Sequence, residues 1–243
     1  MINTLMSGTC NALSGRSHPT SRLYHSRPSG WRRMEEVKKS LKVMGTRFSS
    51  QLERRDRVLK ESRDVISACS RAIIDVHTGR MKDAEKEIST AKSLLSSLKK
   101  SSDGSVSRYL ISPETEFVEA SAVIALAKDK PVPSLEGLGA SPEAYLLGLL
   151  DTVGELKRLV LDSILQRKLA KAKKYFGVME ELYSLCSPLA VYDHVVNGAR
   201  RKIDVARMLV EDTRGLLAEE MGRESVSNSM ARLEKKLGER AMR

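Results

Sequence analysis

Apolar residues recur at helical spacing through most of the chain, and polar residues fill the positions between them. Where polar residues, glycine and proline interrupt the pattern, we expect loops, notably over Ser101–Ser107 and Lys130–Ala140. In the last segment, Met230, Leu233 and Leu237 share one stripe that could dock on a neighbour. The predicted helices are 34–76, 80–98, 113–128, 141–166, 168–186 and 199–221, with a short terminal helix over 225–243.

No segment alternates apolar and polar residues between hairpin turns, and no repeat of fixed period is found. The predicted fold class is therefore all-α, a bundle of about six to seven helices whose short connections favour antiparallel packing. We place the helical domain at 34–222. A basic extension precedes it over 1–33, and a basic tail or short helix follows over 223–243.

The stretch SPEAYLLGLLDTVGELKR, residues 141–158, predicts a well-defined helix start, with Ser141 as the N-cap and Pro142 in the first turn. Asp151 and Glu155 follow at i and i+4, which puts both carboxylates on one face of the helix. Large apolar residues occupy most of the helix circumference and leave only a narrow polar stripe. Gly148 lies in that stripe, so another group can approach it closely.

The preceding helix contains a second acidic pair, Glu116 and Glu119, at i and i+3. Between Phe117 and Ala127 only Glu119 and Ser121 are not apolar, so Glu119 belongs to a helix that is predicted to be buried nearly all round. A lone buried carboxylate is costly, and it therefore needs an arginine, a lysine or a metal ion as its partner.

Two interpretations of these four acids remain open from spacing alone. Structural ion pairs are the simpler one. The functional alternative is a site for Mg²⁺, or for Mn²⁺, since several carboxylates without histidine favour a hard ion over zinc. A di-iron site is disfavoured because neither pair contains the Glu-x-x-His element of such sites.

The net charge of +11 favours an anionic partner, with nucleic acid first, although solubility alone can account for it. Residues 1–33 contain five arginines and no acid, which leaves +6 for residues 34–243. This serine-rich extension is predicted to be disordered, and its composition also fits a transit peptide. A misassigned start is a third interpretation, because Met34 opens a convincing helix.

Cysteine and histidine offer little chemistry. Cys10, Cys69 and Cys186 form neither a disulfide framework nor a zinc pattern, which favours a reducing, cytoplasmic setting. His77 and His194, the two histidines outside the extension, are interpreted as structural rather than catalytic. No apolar run approaches the ~20 residues that a membrane span needs, so no membrane association is predicted.

Alternating charges fill the first helix around Arg63 and Arg71. Such alternation usually marks a solvated, ion-paired face. The functional alternative is a surface that contacts nucleic-acid phosphates.

Three segments resemble the translin family, and specifically its translin-associated factor X (TRAX) branch. TEFVEASAV is similar to that branch's Glu-x-x-Glu helix, PEAYLLGLLDTVGELKR to its second acidic helix, and RDRVLKESRDVISACSRAIIDVH to its first helix. The resemblance covers roughly residues 40–220. It implies a translin-like helical fold that assembles into a closed oligomeric shell, usually an octamer, around single-stranded nucleic acid.

In the TRAX branch the acidic residues bind Mg²⁺ and cleave single-stranded RNA. The resemblance therefore implies an Mg²⁺-dependent endoribonuclease whose metal-activated water attacks a phosphate. Arg63 and Arg71 would hold backbone phosphates, and Arg158 would steady the phosphate or pair with the acids. The four residues with matches to the catalytic set are Glu116, Glu119, Asp151 and Glu155.

Several alternatives stay open at this stage. A translin-like protein that binds single-stranded DNA or RNA without cutting it is the main competitor, and a helical scaffold without nucleic acid is a third class. Homo-oligomerisation and assembly with a translin partner are both compatible with the sequence. The number of metal ions and the choice between RNA and DNA are not specified.

Overall fold

Helices account for nearly all of the residues that the computed structural model describes, which are 34–102, 104 and 106–241. No strand occurs among them, which confirms the predicted all-α class. None of these helices is both long and apolar enough to cross a membrane. The α-helices are α1 (Glu35–His77), α2 (Met81–Ser101), α3 (Ile111–Ala127), α4 (Leu135–Leu138), α5 (Pro142–Leu165), α6 (Leu169–Cys186) and α7 (Ala199–Ala241).

The chain divides into two compact units, residues 1–49 and residues 50–243. In the first unit, the described residues 34–49 belong almost entirely to α1, and all of them are exposed. The predicted extension over 1–33 lies outside the described residues. The second unit contains the buried core, and the acidic residues lie within it.

Helix α5 is the central element of the second unit because it packs against α3, α6 and α7. Its residues Leu146, Val153, Leu156 and Val160 are buried in the larger of two hydrophobic clusters, as the apolar pattern predicted. Leu147, Leu149 and Leu161 are half-buried, and Leu165 is 82% exposed at the end of the helix. A smaller cluster joins α1, α2 and α3.

The start of α5 is fixed by two side chains. The Ser141 hydroxyl accepts a hydrogen bond from the Ala144 amide at 3.4 Å, which confirms the predicted N-cap. The Ser141 amide in turn donates to Glu114 Oε2 on α3 at 2.7 Å. Glu114 is buried, and its other carboxylate oxygen lies 2.7 Å from the Lys99 ammonium. These contacts tie the beginning of α5 to α3 and α2.

Helices α3 and α5 are in close contact at Gly148. A β-carbon at this position would lie 2.6 Å from the Thr115 carbonyl oxygen and 2.7 Å from Val118 Cβ. Only a residue without a side chain leaves room for this contact. The sequence predicted that something approaches Gly148, and the structure identifies it as the backbone of α3.

Two predicted boundaries are wrong. The loop predicted over Lys130–Ala140 contains the short helix α4, which is capped by Ser134 and ended by Gly139 with φ of 61°. Residues 199–241 form one continuous helix, whereas the sequence predicted an end near Met221 and a separate terminal helix. Glycine and polar residues near position 222 suggested a break, but nothing in that stretch prevents helical backbone geometry.

We expect Gly148→Ala to destabilise the protein by about 1–3 kcal/mol, because the added methyl group pushes α3 and α5 apart. Urea unfolding followed by circular dichroism measures this loss. The matched control is Gly177→Ala in α6, where a β-carbon meets nothing within 4 Å. There the better helix propensity of alanine should stabilise the protein by up to about 1 kcal/mol. Equal effects of the two substitutions would contradict the close crossing.

Candidate active site

The structure brings the four predicted acidic residues together between α3 and α5. Glu119, which is only 9% exposed, has its pKa raised to about 8 by burial and by the negative charges of Asp151, Glu116 and Glu155. The pKa of Glu116 is raised for the same reasons, burial first and then Asp151 and Glu155. The two pairs therefore face each other, as the metal-site hypothesis requires.

Helix α1 forms a third wall of this cluster. The Cys69 thiol is buried there, and burial, followed by the charges of Glu116 and Glu119, raises its pKa to about 12. A thiol in this environment stays protonated at neutral pH and is a poor nucleophile. Cys69 therefore has a packing role in the wall of the cluster rather than a chemical role.

A lysine that was not among the residues predicted from the sequence neutralises part of the cluster. The Lys202 ammonium, from α7, hydrogen-bonds both carboxylate oxygens of Asp151. Its positive charge also opposes the rise in the pKa of Glu116 and of Glu119. A signal was present in the sequence, because Lys202 follows Ala199 by one turn and precedes Ala206 by another, on the buried side of α7.

His77, at the end of α1, bridges two carboxylates of α5. Its Nε2 lies 2.6 Å from Glu155 Oε2 and its Nδ1 lies 2.9 Å from Asp162 Oδ2, while the side chain is 6% exposed. Burial by itself lowers the pKa of His77, but the hydrogen bonds to the two carboxylates outweigh it and leave the pKa above its usual value. A protonated ring can donate to both partners at once.

Glu155 is held from two sides. Besides His77, Arg158 donates from Nη1 to Glu155 Oε2 at 3.1 Å, so the predicted pairing of Arg158 with the acids is present. Burial raises the pKa of Glu155, but the His77 hydrogen bond and the Arg158 charge more than compensate and lower it overall. Glu155 is therefore ionised, whereas Glu119 on the opposite helix tends to keep its proton.

The two predicted phosphate-binding arginines of α1 have different surroundings. Arg71 is exposed and donates to Glu87 of α2 at 2.8 and 3.0 Å, so its guanidinium is already paired. Arg63 is also exposed, and no hydrogen bond or ion pair joins it to another residue of the described part of the chain. Neither arginine contacts the four acids directly.

The acidic residues suit a hard divalent ion by their chemistry, because all the donors are carboxylate oxygens. Burial also disfavours the charged form of three of them, Glu116, Glu119 and Glu155. In their present positions, however, no three acidic, histidine or cysteine side chains of the described residues are placed to hold a metal ion together. Lys202 engages Asp151, and His77 and Arg158 engage Glu155. Binding of an ion thus requires side-chain rearrangement.

Comparison with known proteins points to one family. A sequence profile described as the Translin family matches residues 108–212, which include all four acids. An uncharacterized protein of Methanocaldococcus jannaschii is 37% identical over 166 residues, which cover 66% of this chain and 73% of the relative.

Three solved structures agree with this assignment of the fold. The crystal structure of AfC3PO matches with a TM-score of 0.64 and 27% identity, covering 79% of this chain and 98% of that one. The AfC3PO complex with duplex RNA matches with a TM-score of 0.63 and 25% identity, covering 79% and 97%. Apo-NeC3PO, at 22% identity and a TM-score of 0.63 over 74% and 96%, supports the fold alone. The finer assignment to the TRAX branch stays a prediction.

The raised pKa of Glu119 predicts that the free energy of unfolding depends on pH. The folded carboxyl keeps its proton up to about pH 8, whereas the unfolded one loses it from about pH 4.5. Between these values the unfolded state binds fewer protons, so the stability of the metal-free protein falls as the pH rises.

We therefore expect Glu119→Gln, measured in EDTA, to match the wild type near pH 4.5 and to exceed its stability by roughly 4 kcal/mol at pH 8. Urea unfolding over this pH range measures the difference. Glu143→Gln, at the first turn of α5, is the control and should show no such trend. A stability difference for Glu119→Gln that is independent of pH would contradict the burial of an ionisable carboxyl.

Proposed function

The chain belongs to the translin family, and we propose that it is an Mg²⁺-dependent endoribonuclease. The observation that carries this proposal is the convergence of Glu116, Glu119, Asp151 and Glu155, with Glu119 buried against three like charges. A site that raises the pKa of its own carboxyl groups has an unmet need for positive charge. The residues therefore fit a cation better than they fit a structural ion-pair network.

These four residues would hold Mg²⁺, or Mn²⁺ in its place. The bound ion supplies positive charge that neutralises a phosphate and acidifies a water molecule. The chain itself supplies the arrangement: His77 and Arg158 orient Glu155, and Lys202 orients Asp151. The hydrophobic residues of α1 and α3 limit access of bulk water and so strengthen the electrostatic interactions within the cluster. Phosphodiester hydrolysis is the reaction class that this arrangement supports.

RNA is the substrate class we propose. AfC3PO, which shares the fold, has been solved in complex with duplex RNA. The proposed preference for single strands rests on the match of the four acids to the TRAX branch. Single-stranded DNA is the alternative ligand, and its binding should be compared with that of single-stranded RNA. The basic balance of the chain, with a net charge of +11, favours either polyanion.

We further propose that the protein acts as a homo-oligomer, with an octamer as the expected shell. Large apolar side chains in the last part of α7 support this, because Val226, Met230, Leu233 and Leu237 are each about 60% exposed. They recur at spacings of four, three and four residues along one face of the helix. Such a stripe is unusual on a surface that stays in water.

A second candidate is a protein that binds nucleic acid without cutting it. One observation favours it: in the described structure Lys202 already neutralises Asp151, and no three donor side chains are gathered for an ion. The two functions differ in what they require of the four carboxylates: the nuclease needs them to bind an ion, whereas the binding protein does not.

The nuclease proposal predicts that Asp151→Asn and Glu119→Gln each lower the rate of cleavage of a labelled single-stranded RNA at least a hundredfold, since one ion ligand is lost. RNA binding measured in EDTA should stay within about threefold of the wild type. Gel analysis with Mg²⁺, and with EDTA as a blank, measures both. Glu143→Gln on the same helix should cleave at the wild-type rate. Wild-type cleavage by Asp151→Asn contradicts the proposal, and binding by every variant without Mg²⁺-dependent cleavage favours the second candidate.

For Arg63 we expect a role in backbone binding. Arg63→Ala should weaken the binding of single-stranded RNA and reduce the slope of log affinity against log salt by about 0.7, the contribution of one phosphate contact to a single strand. Fluorescence anisotropy at several salt concentrations measures both. Lys173→Ala removes the same charge from an exposed position of α6 and should leave the slope unchanged. Equal slopes for the wild type and Arg63→Ala would exclude this contact.

A further inference from the structure

We propose that Lys202 is a positioning residue that couples RNA binding to metal binding. In the absence of ligands it holds Asp151, and an RNA phosphate draws the ammonium away and frees Asp151 for the ion. The inference rests on the proposed function of the four carboxylates. It adds a role for a residue outside that set.

The contact itself places Lys202 inside the acidic cluster. Its ammonium meets both oxygens of Asp151. Within the described part of the chain, the ammonium has no hydrogen bond or ion pair with any other residue. Its charge is also felt by Glu116 and Glu119 on the opposite helix. Lys202 therefore supplies the positive charge that an ion would otherwise bring.

The backbone that carries Lys202 is rigid, whereas the ammonium at the end of its side chain can move. The neighbouring residues Ala199, Ile203 and Ala206 are buried in the core, so the backbone of α7 is fixed at this point. The Lys202 side chain is 37% exposed, and its flexible four-carbon stem lets the ammonium change direction without backbone movement. It can therefore exchange Asp151 for an anion that arrives from solvent.

Competition at Asp151 makes the two binding events interdependent. The same two carboxylate oxygens cannot face an ammonium and bind a divalent ion at full strength, because the two cations repel each other. A phosphate offers Lys202 another anionic partner and so removes this conflict. RNA must then strengthen metal binding, and by linkage the metal must strengthen RNA binding by the same factor.

Lys157 provides a matched control on the neighbouring helix. It lies in α5, between the acidic residues and the end of the helix, and pairs with Asp212 of α7 at 3.5 Å. Like Lys202 it bridges α5 and α7 through one carboxylate. It contacts none of the four acids, so its removal changes the net charge equally without touching the cluster.

The test measures Mn²⁺ affinity by isothermal titration calorimetry, with and without a short phosphorothioate single-stranded RNA whose integrity is checked on a denaturing gel. The wild type should bind Mn²⁺ several-fold more tightly with the RNA than without it. Lys202→Met should bind Mn²⁺ about tenfold more tightly than the wild type without RNA, since a nearby like charge is gone. It should gain less from RNA than the wild type gains, because only the direct attraction between the ion and the phosphate is left. Lys202→Arg should retain the coupling, and Lys157→Met should behave as the wild type.

Two results would overturn the inference: an unchanged Mn²⁺ affinity of Lys202→Met without RNA, or an effect of RNA on Mn²⁺ affinity that is as large in this variant as in the wild type. If Lys202→Met does not fold, Lys202→Gln serves the same comparison. The reciprocal measurement, RNA affinity of the wild type with and without Mn²⁺, needs no variant, and equal affinities would also overturn the inference. Asp151→Asn distinguishes a failure of the proposed metal site from a failure of the coupling through Lys202. Wild-type Mn²⁺ binding by that variant would contradict the metal site itself.

Discussion

The close contact between α3 and α5 at Gly148 is the constraint on which the candidate site depends. The backbone of α3 lies where a side chain at position 148 would be, so the two helices cross at a distance that larger residues do not allow. On α3, Glu116 lies between the two contacting residues Thr115 and Val118, and Glu119 comes directly after them. On α5, Asp151 and Glu155 follow Gly148 within two turns. The close approach permitted by this glycine therefore contributes to the burial of the four carboxylates, and the hydrogen bond from the Ser141 amide to Glu114 joins α3 to the beginning of α5.

The four carboxylates differ in their cationic partners, and this difference limits the repulsion between them. Glu155 receives His77 and Arg158, which lower its pKa, and Asp151 receives Lys202. Glu119 receives no such partner among the described residues, and burial with three like charges raises its pKa to about 8. The cations come from the same helix α5, from the end of α1 and from α7, so three parts of the chain contribute to the charge balance of one cleft. This asymmetry leaves Glu119 as the carboxyl group on which the proposed cation would have the largest effect.

Much of this arrangement was predictable because it depends on local sequence. The N-cap at Ser141, the extent of α5 and α6, and the buried character of α3 follow from capping residues and apolar spacing. The short helix α4 and the continuous α7 were missed, since glycine and proline lower helix propensity without excluding it, and tertiary contacts decide such marginal cases. Lys202 was missed because its partner lies 51 positions earlier in the chain, and no spacing rule relates the two residues.

The sequence by itself determined most of the helices, the acidic pairs that share a face within each of two helices, and the glycine that permits close approach. Only the tertiary structure decided that the two pairs face each other, that His77 bridges Glu155 and Asp162, and that Lys202 engages Asp151. The reason is physical: positions within one helix are related by a fixed rise and rotation, whereas positions on different helices are related only by how their side chains pack. Charge pairing across the cleft is a property of that packing.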